Sequence, residues 1–145
     1  MQKSGLRTEW DDHRTVLEST IASQEDVIQQ IVESITHGFH SGNKLLLCGN
    51  GGSAADAQHV AGEFINRFQF DRAALPALAL TTDTSVLTCI ANDSAFEHVF
   101  SRQIEALGKR GDILVGISTS GASPNVLKAI DTARRKGMRT IAFTG

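Results

Sequence analysis

The sequence has little cysteine and no long run of positive charge, and both shortages exclude classes of protein. Its two cysteines, Cys48 and Cys89, stand in apolar stretches without a C-x-x-C pair, so we expect buried, reduced thiols rather than a disulfide framework. No histidine is arranged beside either one, and neither is expected to be a nucleophile. The longest basic cluster is 134–136 in a chain of net charge −2. That excludes a broad electrostatic surface for nucleic acid or an anionic membrane.

Long hydrophobic runs are also absent. The first residues contain no apolar segment typical of a signal peptide. No stretch approaches the roughly 20 apolar residues that a membrane span needs. The composition of the 145 residues, 41% hydrophobic and 21% charged, fits one domain with a sizeable core. We therefore predict a single cytoplasmic domain over residues 1–145, without nucleic-acid or membrane partners.

A helical pattern runs through the first part of the chain, from about residue 11 to residue 39. Apolar residues recur there at intervals of three, four and seven, which marks one face of a long helix; they are Leu17, Ile21, Ile28, Ile31, Ile35 and Phe39. Val27 and Val32 widen this face beyond what one sheet contact requires. The helix could associate with another subunit or pack on its own domain, and the sequence leaves both possibilities open.

Short apolar strands alternate with helices in the remaining part, about 43–145. Strands are predicted at 44–48, 76–80, 112–117 and 138–143, and helices at 54–64, 83–90, 95–107 and about 124–136, with a break at 92–93. This alternation predicts an α/β fold with a doubly wound, flavodoxin-like parallel sheet flanked by helices. Because the sequence stops at Gly145, directly after a strand, we expect a further strand and helix to belong to the domain.

Two loops follow strands at the edge where parallel sheets bind ligands. In the first, 49–53, glycines let the backbone approach a ligand, and the next helix offers unpaired N–H groups. In the second, 118–123, hydroxyl groups surround Gly121 ahead of another helix. Hydroxyl and N–H groups can hold a phosphomonoester without a cationic pocket. Each loop could instead serve only the fold, as a tight turn or a helix cap.

The first loop also satisfies a loose dinucleotide fingerprint, Gly49-x-Gly51-x-x-Ala54, with Asp83 as a possible ribose-binding acid. The acid usually follows the glycines by about 20 residues, and Asp83 lies farther along. This spacing counts against nucleotide binding.

His59 and Glu63 lie four residues apart on the helix after the first loop, so they share one helical face. They could bind one divalent metal, or the carboxylate could act as a general base on a carbon next to a carbonyl. A solvated His/Glu pair on an exposed face is the alternative.

Several motifs occur together in one order, and their combination is far more specific than either loop. They are 48–53 (CGNGGS), Asp56, Gln58-His59 with Glu63, Asn92-Asp93, and 116–126 (GISTSGASPNV). Together they resemble the phosphoheptose isomerases of the SIS (sugar isomerase) family over roughly residues 42–145. The resemblance implies a homotetrameric isomerase that converts sedoheptulose 7-phosphate to D-glycero-D-manno-heptose 7-phosphate through an enediol, for bacterial heptose and lipopolysaccharide core synthesis.

The same resemblance implies the roles of individual residues. Glu63 would be the catalytic base, and His59 and Glu63 would be zinc ligands. The substrate would contact Asn50, Gly51, Gly52, Ser53, Asn92, Asp93, Ser118, Thr119, Ser120 and Ser123. The family's other zinc ligands, a glutamine and a histidine that is also the catalytic acid, lie in a helix beyond Gly145. Residues 1–145 alone are therefore expected to bind zinc weakly and to be inactive.

A second function remains as an alternative: a non-catalytic SIS module that binds a replication-initiator protein or senses a sugar phosphate. Residues 64–68 and 90–93 are similar to the initiator-binding proteins as well. Those proteins lack the carboxylate four residues after the histidine, whereas this sequence has Glu63. The isomerase is therefore the favoured interpretation.

Overall fold

The computed structural model describes residues 5–145, which form six helical segments and four strands. The helices are α1 (Gly5–His40), α2 (Gly52–Ile65), α3 (Thr84–Asp93), a 3₁₀ turn (Phe96–His98), α4 (Ser101–Leu107) and α5 (Pro124–Arg135). The strands are β1 (Leu45–Gly49), β2 (Ala77–Ala79), β3 (Ile113–Ser118) and β4 (Arg139–Thr144). The domain predicted over 1–145 includes residues 1–4, which lie outside the described part, and its extent stays a prediction.

The chain divides into two compact units, with the boundary after Ser34. In the first unit, α1 begins at Gly5, earlier than the predicted residue 11. The apolar side chains that predicted this helix are largely exposed, among them Leu17, Ile21 and Ile28 at about half of their surface. The predicted apolar face is therefore present on α1 and accessible to solvent.

The second unit is built on a four-stranded sheet in the order β2-β1-β3-β4, with every pair parallel. All five residues of β1 are buried, as continuous apolar runs in central parallel strands should be. Each strand begins and ends within one residue of its predicted position. The order is that of a flavodoxin-like sheet, so β1 and β3 meet at the topological switch point. The predicted fold class is confirmed.

The core lies between this sheet and the helices that pack on it. Leu46, Cys48 and Leu114 contribute from the strands, and Val99, Phe100, Ile104, Val126, Ala129 and Ala133 from the helical side. Helix α5 packs closely on β3. A Cβ atom added at Gly116 of β3 would lie only 2.9 Å from Cγ1 of Val126 of α5. Glycine at this position lets the helix that follows the second loop approach the sheet.

A buried carboxylate connects the beginnings of β1 and β3. Asp112, whose side chain is 3% exposed, accepts hydrogen bonds from the backbone N–H groups of Lys44 (3.0 Å) and Lys109 (2.8 Å). It also pairs with Nζ of Lys44. Burial acts to raise the pKa of the Asp112 carboxyl, but these hydrogen bonds and the lysine charge outweigh it and hold the pKa below its ordinary value.

The two cysteines differ in burial. Cys48 is fully buried, and burial raises the pKa of its thiol to about 12. Cys89 is exposed, so the prediction of two buried thiols is wrong for this residue. The reason is its position on α3, which contains no buried residue. Among residues 5–145, no helix has the length and apolar character that crossing a membrane requires.

Candidate functional site

The first loop is shaped by glycine at two positions. A Cβ atom added at Gly49 would lie 2.8 Å from both Cβ and the carbonyl oxygen of Ser53, so β1 meets the first turn of α2 without room for a side chain. Gly51 has φ +54°, in the left-handed region that favours glycine. Helix α2 thus begins at Gly52, two residues before the predicted start. Gly51 and Gly52 are exposed, and Asn50 and Ser53 are half-buried.

The second loop carries a closed pair of hydroxyl groups. Oγ of Ser118, at the end of β3, lies 2.9 Å from Oγ of Ser123. Ser123 occupies the N-cap position of α5, but its side chain makes no capping hydrogen bond. Oγ of Ser120 accepts a hydrogen bond from the N–H group of Ala122 (3.2 Å), and Thr119 is exposed. The hydroxyl groups predicted for the substrate therefore surround one turn, as the sequence suggested.

A pair of side-chain amides joins the two loops. Asn50 donates to Oδ1 of Asn125 (2.9 Å), and Asn125 donates to Oδ1 of Asn50 (2.8 Å). Asn125 is 2% exposed. The motif that carries the family resemblance contains Asn125, yet its spacing gave no sign of this contact.

A small hollow of about 260 Å³ opens beside this amide pair. It is lined by Asn50, Phe96, Glu97, Ser123, Pro124 and Asn125. It therefore combines one predicted substrate contact from each loop. Phe96 and Glu97, which come from the 3₁₀ turn, were not predicted.

Asn92 and Asp93 occupy the last turn of α3 rather than the predicted break. Nδ2 of Asn92 donates to Oδ1 of Asp93 (2.8 Å), and both residues are exposed. Asp93 lines another hollow, of about 540 Å³, together with Ser94 and His98. Of the predicted substrate residues, Asn50 and Ser123 line the first hollow, Asp93 lines the second, and the other seven line neither of these two.

His59 and Glu63 are brought together as predicted, with 3.5 Å between Nε2 and Oε1. Their side chains are 73% and 38% exposed. They line a third hollow, of about 450 Å³, whose other walls are mostly aromatic: Val60, Phe64, Phe68, Phe70 and Arg72. The guanidinium of Arg72 donates to the carbonyl oxygens of Glu63 (2.7 Å) and Phe64 (2.8 Å), which fixes the end of α2.

The distance between Nε2 of His59 and Oε1 of Glu63 is compatible with both atoms binding one metal ion. Two tetrahedral ligands with bonds of about 2.0–2.1 Å lie roughly 3.4 Å apart, close to the observed separation. Residues 5–145 contain no group of three or more His, Cys, Asp or Glu side chains that could hold an ion. The described residues thus supply two ligands, and a structural or catalytic zinc needs more.

Asp83, which was considered as a ribose-binding acid, has a structural role in this fold. Its carboxylate accepts a hydrogen bond from the N–H group of Val86 (3.0 Å) and caps α3. This capping role accounts for an aspartate at the end of β2 without a ribose.

Comparison with known proteins identifies the family of this chain. The family model described as SIS domain matches residues 10–145. A phosphoheptose isomerase of Desulfovibrio desulfuricans is 62% identical over 134 residues, which are 92% of this chain and 64% of that protein. One of Synechocystis sp. is 52% identical over 95% of this chain and 72% of its own length.

Solved structures give the same result. The phosphoheptose isomerase GmhA from Neisseria gonorrhoeae superposes with a TM-score of 0.90 at 44% identity, over 97% of this chain and 73% of that one. One from Francisella tularensis gives a TM-score of 0.79 at 36% identity, over 94% and 75% of the two chains. The chain spans 64% of the length of the D. desulfuricans relative. From the matched model, the identities and the superpositions together, this chain belongs to the SIS-domain family, in its phosphoheptose isomerase group.

Proposed function

We propose that this protein is an aldose–ketose isomerase that converts sedoheptulose 7-phosphate to D-glycero-D-manno-heptose 7-phosphate through an enediol. One observation carries the proposal: Glu63 lies beside His59 on the same helix that starts at the glycine loop. The carboxylate and the imidazole are groups that can transfer protons to and from a substrate. The glycine loop at the start of the same helix could bind the sugar phosphate. The relatives described above carry the name of this enzyme.

The phosphate would be held by the second loop, with help from the first. Ser118 and Ser123 present hydroxyl groups 2.9 Å apart, and the N-terminus of α5 contributes N–H groups and the positive end of its dipole. Thr119 and Ser120 add two further hydroxyl groups, and Asn50, Gly51, Gly52 and Ser53 would contact the sugar from the other side. Binding energy from this remote phosphate would orient the reacting carbons.

The chemical step would begin with Glu63. Its carboxylate would remove the proton from C1, the carbon next to the carbonyl of the ketose, and the electron pair of that C–H bond would form a C1=C2 double bond. The carbonyl electrons would move to O2, which takes up a proton to give the enediol. A proton would then be delivered to C2 while the proton on O1 leaves, so that the carbonyl group moves to C1. Hydrogen-bond donors such as Asn92 would stabilise the developing negative charge on oxygen. Asp93, its hydrogen-bonded neighbour, would keep the amide in place.

His59 and Glu63 would also hold a zinc ion, together with further ligands that residues 5–145 of the same chain do not supply. Zinc would supply Lewis-acid stabilisation of the oxygen atoms of the substrate. A carboxylate bound to zinc is a weaker base, so the two roles of Glu63 compete.

The active enzyme would be a homotetramer with sites shared between subunits. Within one chain the hollow of His59 and Glu63 is separate from that of Asn50 and Ser123, so a second subunit could supply the groups that complete each site. The exposed apolar face of α1 offers a surface for such association. The enzyme would act in the bacterial cytoplasm, in the synthesis of lipopolysaccharide heptose.

Turnover of sedoheptulose 7-phosphate by the full protein, with NMR of the product, tests this proposal. We expect an aldoheptose 7-phosphate with the manno configuration. Absence of turnover with zinc supplied, while the phosphosugar still binds, would contradict it and favour the non-catalytic module that binds a replication initiator or senses a sugar phosphate. No described contact favours that module at present.

A further inference from the structure

The hollow between the two loops has one charged wall that no predicted contact explains. Asn50 and Ser123, both proposed substrate contacts, line it together with Glu97. Glu97 lies in the 3₁₀ turn, and 46% of its side chain is exposed. Next to it, Phe96 is 62% exposed and lines the same hollow. A carboxylate and an aromatic ring at one wall are a common means of contacting a polyhydroxylated chain.

Glu97 is held in place by a lysine from the helix of the second loop. Nζ of Lys128, on α5, lies 2.7 Å from Oε1 of Glu97 and 2.7 Å from Nε2 of His98. An ammonium group can only donate, so Nε2 of His98 accepts and its proton is on Nδ1. Nδ1 in turn lies 2.6 Å from Oγ of Ser94. Lys128 thus connects two side chains of the turn to α5.

This pairing also determines the charge of the wall. The hydrogen bond from Lys128 and the charge of that lysine hold the pKa of the Glu97 carboxyl below its ordinary value. Glu97 would be ionised near neutral pH even with its ordinary pKa, and the pairing with Lys128 keeps it ionised at lower pH as well. An ionised carboxylate is an acceptor only, and it forms short, strong O–H···O⁻ bonds with hydroxyl groups.

We propose that Glu97 is a further sugar-binding residue, which accepts hydrogen bonds from hydroxyl groups of the sugar phosphate, and that Lys128 is the positioning residue that holds it at the hollow. The inference rests on the proposed function, because it takes a sugar phosphate as the occupant. It adds a direction to binding. The α5 N-terminus attracts the phosphate dianion, so the hydroxylated carbon chain takes the Glu97 side of the hollow.

Two ligands separate hydroxyl recognition from other effects of the substitution. NMR titrations would measure the affinities of sedoheptulose 7-phosphate and of propyl phosphate, which has the phosphomonoester but no hydroxyl groups. For Glu97→Ala we expect sedoheptulose 7-phosphate to bind about 10-fold more weakly, as loss of a hydrogen bond to a charged group predicts. Propyl phosphate should bind at least as well as before, since it has no hydroxyl group that Glu97 could accept a hydrogen bond from.

The control variants follow from the same contacts. Glu33→Ala removes an equal charge from α1, where Glu33 accepts a hydrogen bond from Gln29 (3.1 Å), and should leave both affinities unchanged. Lys128→Met should also weaken the binding of sedoheptulose 7-phosphate, and Lys128→Arg, which can still pair with Glu97, should restore most of the affinity.

Three results would overturn the inference. Affinity of Glu97→Ala for sedoheptulose 7-phosphate within twofold of the unaltered protein would remove Glu97 from the site. An equal loss for both ligands would show a structural effect in place of hydroxyl recognition. No binding of sedoheptulose 7-phosphate by the unaltered protein would overturn the proposed function itself, and that result is separate from the other two.

Discussion

Asn50 and Asn125 form two reciprocal side-chain hydrogen bonds, of 2.9 and 2.8 Å, across 75 residues of sequence. One residue belongs to the glycine loop after β1 and the other to the first turn of α5. The pair is half-buried at Asn50 and fully buried at Asn125. It therefore fixes the distance between the two loops from which the proposed substrate contacts come.

Replacement of Asn125 by alanine tests this connection. It leaves the Asn50 amide without its partner in a partly buried position, which should cost about 1–3 kcal/mol of unfolding free energy. Binding of sedoheptulose 7-phosphate should weaken as well, because the loops are no longer held together. Urea denaturation and an NMR titration would measure the two effects. Asn66→Ala, at the exposed end of α2, is the control; an equal loss there would contradict a special role for the amide pair.

The close approach of β1 and α2 makes a prediction about glycine. In Gly49→Ala the added methyl group would meet the backbone of Ser53 at 2.8–2.9 Å, and the loop must shift to accept it. We expect a loss of about 1–3 kcal/mol in stability, as overpacking typically costs, and weaker phosphosugar binding. The control lies in α2, the helix that Gly49 approaches. A Cβ atom at Gly62 meets nothing within 4 Å, so Gly62→Ala should stabilise the protein by roughly 0.5–1 kcal/mol. Equal effects at the two positions would refute this account.

The pH dependence of stability should include a contribution from Asp112. Its carboxyl pKa is lower in the folded protein than in the unfolded chain, where it is about 3.9. The contribution is therefore fully present above that unfolded value and is lost as the pH falls through the lower, folded value. At pH 7, Asp112→Asn should lower the unfolding free energy by about 1–3 kcal/mol, and the difference from the unaltered protein should shrink below pH 4.

Urea denaturation over this pH range would measure the effect of Asp112. The exposed Asp71 pairs with Arg67 at the surface, and Asp71→Asn should change stability by no more than about 0.5 kcal/mol at any pH. A pH-independent cost for Asp112→Asn would show that the charge of Asp112 is not what stabilises the beginnings of β1 and β3.

Metal binding gives a further test. Among residues 5–145 only His59 and Glu63 are placed as a pair of ligands for one ion at the proposed site. A polypeptide of residues 1–145 should therefore bind zinc weakly, and His59→Ala should weaken it further. Titration with a competing zinc indicator would measure both affinities. Tight, stoichiometric zinc on this polypeptide would contradict the two-ligand site, and His37→Ala, on α1, serves as the control.

The central strands β1 and β3 could be predicted from the sequence because they are short apolar runs whose residues are almost all buried. Strands β2 and β4 are partly exposed, and their prediction depended on the alternation with helices. Helix boundaries were less accurate. Helices α1 and α2 begin at Gly5 and Gly52, earlier than predicted, because their first residues do not continue the apolar pattern. The segment 95–107 contains a 3₁₀ turn before α4, where one continuous helix was expected. Helix ends depend on local turn geometry, which periodicity does not encode.

In the site, too, contacts within one element could be predicted and contacts between distant elements could not. The His59–Glu63 pair follows from helical spacing alone, and the structure places the two side chains 3.5 Å apart. The Asn50–Asn125 pair depends on β1 and β3 being neighbours, and the Glu97–Lys128 pair depends on α5 lying against the 3₁₀ turn. Contacts between residues so far apart in sequence are set by topology, which no local pattern reveals.

The most direct test of the central claim is turnover of sedoheptulose 7-phosphate in D₂O by the full protein and by its Glu63→Gln variant, followed by NMR. With Glu63 as the base, the unaltered protein forms the aldose. The variant should form the aldose, and exchange deuterium into C1 of the ketose, about 10²–10⁴-fold more slowly, the usual contribution of a general base, with substrate affinity largely retained. Turnover by Glu63→Gln at a rate near that of the unaltered protein would contradict the mechanism proposed here.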